Sequence, residues 1–127
     1  MDLTPGMQAT VETIVGASDT AAALGSGDVE VLGTPAVVAL CEAAAVKAIA
    51  DALAPGRTSV GTAINLDHLA PTPVGALVVA RAELVEVDGR TLHFTVAASD
   101  RSGDVAGGTH TRMVVDRAKF VERAAAR

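Results

Sequence analysis

The sequence predicts an α+β fold in which a five-stranded antiparallel sheet wraps around one long helix, and three observations carry that prediction. The stretch from Pro35 to Leu53 is apolar almost throughout, with only Glu42, Lys47 and Asp51 charged. Four consecutive strand-like segments follow it, and a single alternating segment precedes it. A helix that is apolar on nearly every face must be covered on nearly every face, and its Ala and Val side chains let a sheet approach closely. One strand, one small-residue helix and four further strands satisfy this as a curled sheet around the helix, the hot-dog arrangement. A split βαβ or a cystatin-like sheet accounts less well for this element order and depth of burial.

The elements follow in order. Residues Met7 to Val15 alternate as a first strand, with Met7, Ala9, Val11 and Val15 on one face. From Ala17 to Gly33 the chain is rich in Ala, Gly, Ser and Asp without a firm period, which reads as a mobile connection with a short helical turn. Thr34-Pro35 is a helix start: Thr caps free backbone N–H groups and Pro suits the first helical position. Ala54-Pro55-Gly56 ends that helix. Strands are then expected over Thr58 to Leu69, Ala76 to Val87, Arg90 to Ser99 and Asp104 to Asp116. Asp88-Gly89 is a hairpin signal, and Arg101-Ser102-Gly103 joins the last two strands. Leu92, Phe94, Val96 and Ala98 form an inward face, leaving His93 on the polar one. Pro71 and Pro73 stop the sheet just after His68. Arg117 to Arg127 forms a short terminal helix.

Composition narrows the function. At 127 residues the chain fits one domain, residues 1–127, and no repeat or linker-like tract divides it. That length is short for a substrate pocket enclosed by one subunit, and 50% hydrophobic against 20% charged residues suggests apolar surface for a second copy. A net charge of −5, no Trp, no Tyr and two Phe give neither a basic footprint nor a stacking platform for nucleic acid. No apolar run approaches the length of a membrane span, and Met1-Asp2-Leu3-Thr4-Pro5 lacks the regions of a secretory signal, so a soluble cytoplasmic protein without membrane partners is expected. Cys41 is the single cysteine, which rules out an intrachain disulfide and Cys-based zinc sites. Among Ala and Val on a helix it reads as a small core residue rather than a nucleophile.

The chemistry-bearing candidates are Glu42, His68 and Thr34. At about 100° per residue, Lys47 and Asp51 share a helix face, while Glu42 lies about 140° from the first and about 180° from the second. Glu42 therefore points away from the water-facing stripe. A carboxylate buried there without partners would cost several kcal/mol, so it must be paired, neutralised or used. A carboxylate and an imidazole can divide general acid and base work, and a hydroxyl can hold a water or attack. A straight helix containing both Thr34 and Glu42 separates them by about 12 Å along its axis. Thr34 then either precedes the helix or serves another part of the site. No phosphate loop, dinucleotide fingerprint, nucleophile elbow or HExxH is present. His93 and His110 receive no role from their positions.

A more specific signal comes from Thr34-Pro35-Ala36-Val37-Val38-Ala39-Leu40-Cys41-Glu42, Gly61-Thr62-Ala63-Ile64, His68, Pro71-Thr72-Pro73-Val74-Gly75 and Gly108-Thr109-His110-Thr111-Arg112. Together they resemble the hot-dog thioesterases of the fluoroacetyl-CoA thioesterase family, from Met7 to Phe120 and most weakly between Ala17 and Gly33. The resemblance implies an acyl-CoA thioester hydrolase with Thr34, Glu42 and His68 as catalytic residues and Gly61 and Arg112 near the bound acyl thioester. It further implies a homodimer with active sites at the subunit interface, higher assembly being open, and no metal or organic cofactor. The substrate would be a small or medium acyl-CoA, with Glu42 either activating water or attacking the carbonyl directly. The family carries phenylalanines over its substrate, whereas Thr20 to Gly33 has none, so no strong preference for the fluorinated acyl group is expected. Rival readings are an enoyl-CoA hydratase of the same fold and a non-catalytic acyl-CoA binder.

Overall fold

The computed structural model describes residues 2–127. Strand β1 (Gln8–Ile14) leads through a short helical turn at Ala17–Asp19 into α1 (Ala21–Leu24) and then the long helix α2 (Thr34–Ile49). Strands β2 (Arg57–His68), β3 (Leu77–Asp88), β4 (Thr91–Asp100) and β5 (Gly103–Asp116) follow, and α3 (Arg117–Ala125) closes the described chain. All neighbouring strands are antiparallel, in the order β1-β3-β4-β5-β2. The curled sheet, the central helix and the four-strand run after it agree with the sequence reading. Each predicted strand matches an observed one to within a residue or two.

Helix α2 lies across β1 and β3. Its Val37, Cys41, Ala44, Ala45 and Ile49 are buried, a spacing that repeats one face of an α-helix. They meet Val78, Ala80, Ala82 and Leu84 of β3 and Leu92, Phe94, Val96 and Ala98 of β4. Alanines on both partners bring helix and sheet close, and Phe94 is the largest of the fully buried side chains. Burying a side chain of that size contributes about 1.5–3 kcal/mol. Burial also pushes the Cys41 thiol up to about 11, with the neighbouring Glu42 charge adding to the effect, so Cys41 stays protonated and serves as core.

Two segments differ from the sequence reading. Gly33, not Thr34, is the N-cap of α2, and Thr34 is already its first helical residue. The stretch from Ala17 to Gly33 was expected to be a mobile connection, yet its backbone is closely tied: Ala21 N–H donates to Val31 O, Gly33 N–H to Asp19 O and Leu32 N–H to Thr72 O. Small residues permit this because the chain folds on itself. A Cβ on Gly33 would come within 3.0 Å of the Ala21 backbone. The segment carries few large side chains, so its order rests on backbone hydrogen bonds that hydropathy does not reveal.

The sheet leaves two surfaces open. Strand β2 is an outer strand of 12 residues, with no strand among the described residues along its far side. Ala39, Ala43 and Val46 of α2 are exposed, so part of the helix's apolar surface remains uncovered by the chain's own sheet. No helix among the described residues is long and apolar enough to cross a membrane.

Candidate active site

Glu42 projects from the middle of α2 toward β2 and β5, where Gly61 and Arg112 are paired in register. Its side chain is 39% exposed, less buried than its place on an apolar helix suggests. The opening is a cavity of about 280 Å³ lined by Glu42, Gly61, Thr62, Ala63, Ile64 and His110. Gly61 makes the approach possible. A Cβ there would sit 2.5 Å from Glu42 Oε2, 3.1 Å from His110 Cε1 and 3.4 Å from Arg112 Nη1. The register slips between Gly61 and Ala63, so the strand bulges beside the carboxylate.

Arg112, which as a sheet residue could have formed a surface ion pair, is instead buried at 6% exposure. Its guanidinium is a fork held from several sides. Nε donates to Ser59 Oγ at 2.8 Å, Nη2 to Ser59 O at 3.0 Å, and Nη1 lies 3.1 Å from His110 Nε2 and 3.5 Å from Glu42 Oε2. Burial lowers its pKa and the Glu42 charge raises it, but an arginine remains protonated under any ordinary condition. A fixed positive charge therefore faces Glu42.

His110 completes the group, and position alone gave no reason to single it out. It is 2% exposed and packs against Phe94 with ring centroids 6.1 Å apart. Its Nδ1 lies 2.8 Å from Ala63 O, a pure acceptor, so Nδ1 carries the proton and donates. Burial lowers its pKa first, the Ala63 hydrogen bond opposes that, and the Arg112 charge lowers it further. The ring is therefore neutral, with Nε2 free to accept from Arg112. For that reason the 3.8 Å approach of His110 Nε2 to Glu42 Oε2 is a contact and not an ion pair. The available signal was its place two residues before Arg112, on the same strand face.

Thr34 and His68 form a second group. The Thr34 hydroxyl and His68 Nδ1 are hydrogen-bonded at 2.8 Å, joining the first turn of α2 to the last residue of β2. His68 Nε2 is buried without a hydrogen-bond partner. The open surface beside it is lined by Val31, His68, Leu69, Ala70 and Pro71. Because Thr34 belongs to the helix, it stands about 12 Å along the axis from Glu42. Within one chain, then, Glu42 gathers Gly61, His110 and Arg112, while Thr34 gathers His68. No cluster of three or more His, Cys, Asp or Glu residues able to hold a metal ion occurs among the described residues.

Comparison with known proteins gives this arrangement a family. The profile of the fluoroacetyl-CoA-specific thioesterases matches residues 15–118. The fluoroacetyl-CoA thioesterase of Streptantibioticus cattleyicolor is 45% identical over 91 residues, which span 72% of this chain and 66% of that protein, just under two thirds. A solved structure of fluoroacetyl-CoA thioesterase superposes with a TM-score of 0.93 at 34% identity, covering 100% of this chain and 98% of that one. A hot-dog-like protein from Thermanaerovibrio acidaminovorans superposes with a TM-score of 0.89 at 26% identity, covering 98% and 93%. The chain belongs to the fluoroacetyl-CoA-specific thioesterase family and has the hot-dog fold.

Proposed function

We propose that this protein hydrolyses small or medium acyl-CoA thioesters in a homodimer, with each active site assembled from Glu42 of one copy and Thr34 and His68 of the other. The carrying observation is the division of the candidate residues into two groups at different levels of α2. Antiparallel pairing of two copies along their free β2 edges sets the His68 end of one strand beside the Arg57-to-Gly61 end of the other. The same pairing covers the exposed Val46, one helical turn from Glu42, and removes a long open edge that would otherwise invite adventitious strand pairing.

The thioester carbonyl then lies over Gly61, within reach of Glu42. Glu42 either takes a proton from water as that water adds to the carbonyl carbon, or attacks the carbon itself to give an anhydride that water later opens. In both routes the C–S bond breaks, CoA leaves as the thiolate, and His68 supplies the proton that makes it a thiol, the proton given up by the water passing back to His68 to restore it. Thr34, hydrogen-bonded to Nδ1, fixes the ring and positions the water or the carbonyl. Arg112 has donors committed to Ser59, His110 and Glu42, and so serves the bound thioester by holding Glu42 in place. No step requires a metal or organic cofactor.

Thiol release from a panel of acyl-CoAs graded in length, polarity and halogenation tests the reading. Glu42→Gln retains size and hydrogen bonding but removes the base, and turnover is expected to fall at least about a hundredfold with the fold intact. Near-normal release by a folded Gln variant would make Glu42 structural. Loss of enoyl absorbance without thiol release would assign the site to hydration instead.

A further inference from the structure

Away from Glu42, a second and larger cavity of about 670 Å³ opens between α3 and the strand ends, lined by Arg57, Arg90, Asp116, Lys119, Glu122 and Arg123 with Ala126. Four of the chain's ten cationic residues thus face one cleft of a protein whose net charge is −5. Asp116 and Glu122 share the lining and offset part of that charge, leaving a net excess of two positive charges. Among the described residues the ion pairs are Arg81 with Glu83 and the Glu42 group, and none of the four cleft cations lies within 4.0 Å of a carboxylate oxygen. Asp116 directs one carboxylate oxygen to the Lys119 backbone N–H as the N-cap of α3. Arg123 lies against the Phe120 ring, 5.9 Å from its centroid. The four cations are solvent-exposed and their donors are available to an anion, and arginine forks match phosphate oxygens in particular.

The cleft is in line with the reaction site. Arg57 is paired in register with Asp116, just as Gly61 is paired with Arg112. Four strand steps separate the two pairs, about 13 Å at the rise of a β-strand, and two-residue alternation puts Arg57 on the same strand face as Gly61. An extended pantetheine arm, two amide units with their methylene spacers, covers that span. On this basis, and resting on the acyl-CoA reading above, we propose that the cleft binds the phosphates at the nucleotide end of the CoA thioester. Arg57, Arg90, Lys119 and Arg123 supply the positive charge, so this end anchors the substrate while Glu42 acts on the other.

The test uses one acyl group on three carriers: CoA, 3′-dephospho-CoA and N-acetylcysteamine, which has no phosphate. Thiol release is measured for the wild type, Arg57→Gln/Arg90→Gln and Arg123→Gln at low and high salt. For acyl-CoA the double variant is expected to raise KM about tenfold or more with kcat nearly unchanged, an effect that salt weakens by screening. Kinetics on the N-acetylcysteamine thioester should be the same in all three proteins. If the KM ratio between variant and wild type shrinks on dephospho-CoA, the contact is to the 3′-phosphate; if it persists, to the diphosphate; either supports the site. An unchanged KM for acyl-CoA in variants with wild-type melting temperature overturns it. Failure of the thioesterase reading is separate, since the wild type would then release thiol from none of the three carriers.

Discussion

Glu42 and His110 come within 3.8 Å of each other, yet one is a half-open carboxylate and the other a neutral ring sealed in the core. That difference decides how the site responds to pH. The folded pKa of His110 lies below its ordinary value of 6.5, so the unfolded chain takes up the proton first as pH falls. Stability is therefore full above about 6.5 and declines as pH drops through that value toward the depressed folded pKa. The melting temperature should fall between pH 7 and pH 5, and the drop should shrink in His110→Asn, which has no imidazole to protonate. An equal drop in both would move the cause elsewhere. Replacing His110 by Leu should cost more, because the Ala63 carbonyl and an Arg112 N–H each lose a buried partner at about 1–3 kcal/mol.

At the scale of elements, β2 and the segment before α2 set the shape of the site. Gly61 has no positive φ, so its backbone would accept alanine; what it lacks is room. Gly61→Ala should leave the melting temperature within a few degrees while displacing the Glu42 carboxylate, and a displacement near 1 Å can cost about a hundredfold in kcat. A fully active Gly61→Ala enzyme would show that Glu42 does not need its present position. The segment from Thr20 to Gly33 is ordered by its backbone, yet Leu24 and Val29 are its exposed large apolar side chains and it offers no aromatic wall. One fluorine in place of one hydrogen is a small change, and even a close apolar pocket earns only about 1–3 kcal/mol from small differences of substrate volume. The ratio of kcat/KM for fluoroacetyl-CoA over acetyl-CoA should accordingly be modest, with larger acyl groups accepted as well or better. A preference of about a thousandfold or more would mean that another part of the chain builds a selective wall.

For the whole molecule, the expectation is a dimer closed along β2. Light scattering at micromolar concentration should give twice the chain mass, and charge introduced on the uncovered helix face, as in Val46→Glu, should weaken the assembly and thiol release together. A stable, active wild-type monomer would remove the shared site. The pairing matters because the two residue groups sit at different levels of α2, Thr34 with His68 and Glu42 with Arg112.

The sequence by itself determined the fold. The apolar stretch from Pro35 to Leu53, the Asp88-Gly89 turn and the alternation of Leu92, Phe94, Val96 and Ala98 are local signals, and each acts through burial that neighbouring residues already specify. It also supplied Glu42, His68 and Thr34 as candidates through their residue chemistry, and Gly61 and Arg112 through resemblance. Tertiary structure decided which of them meet. Arg112 reaches Glu42 across 70 residues of chain, and His110 takes its neutral state from the Ala63 carbonyl 47 residues away. Thr34 gives up the cap position to Gly33 and turns to His68. Register, burial and hydrogen-bond direction belong to the folded sheet, and no window of sequence contains them.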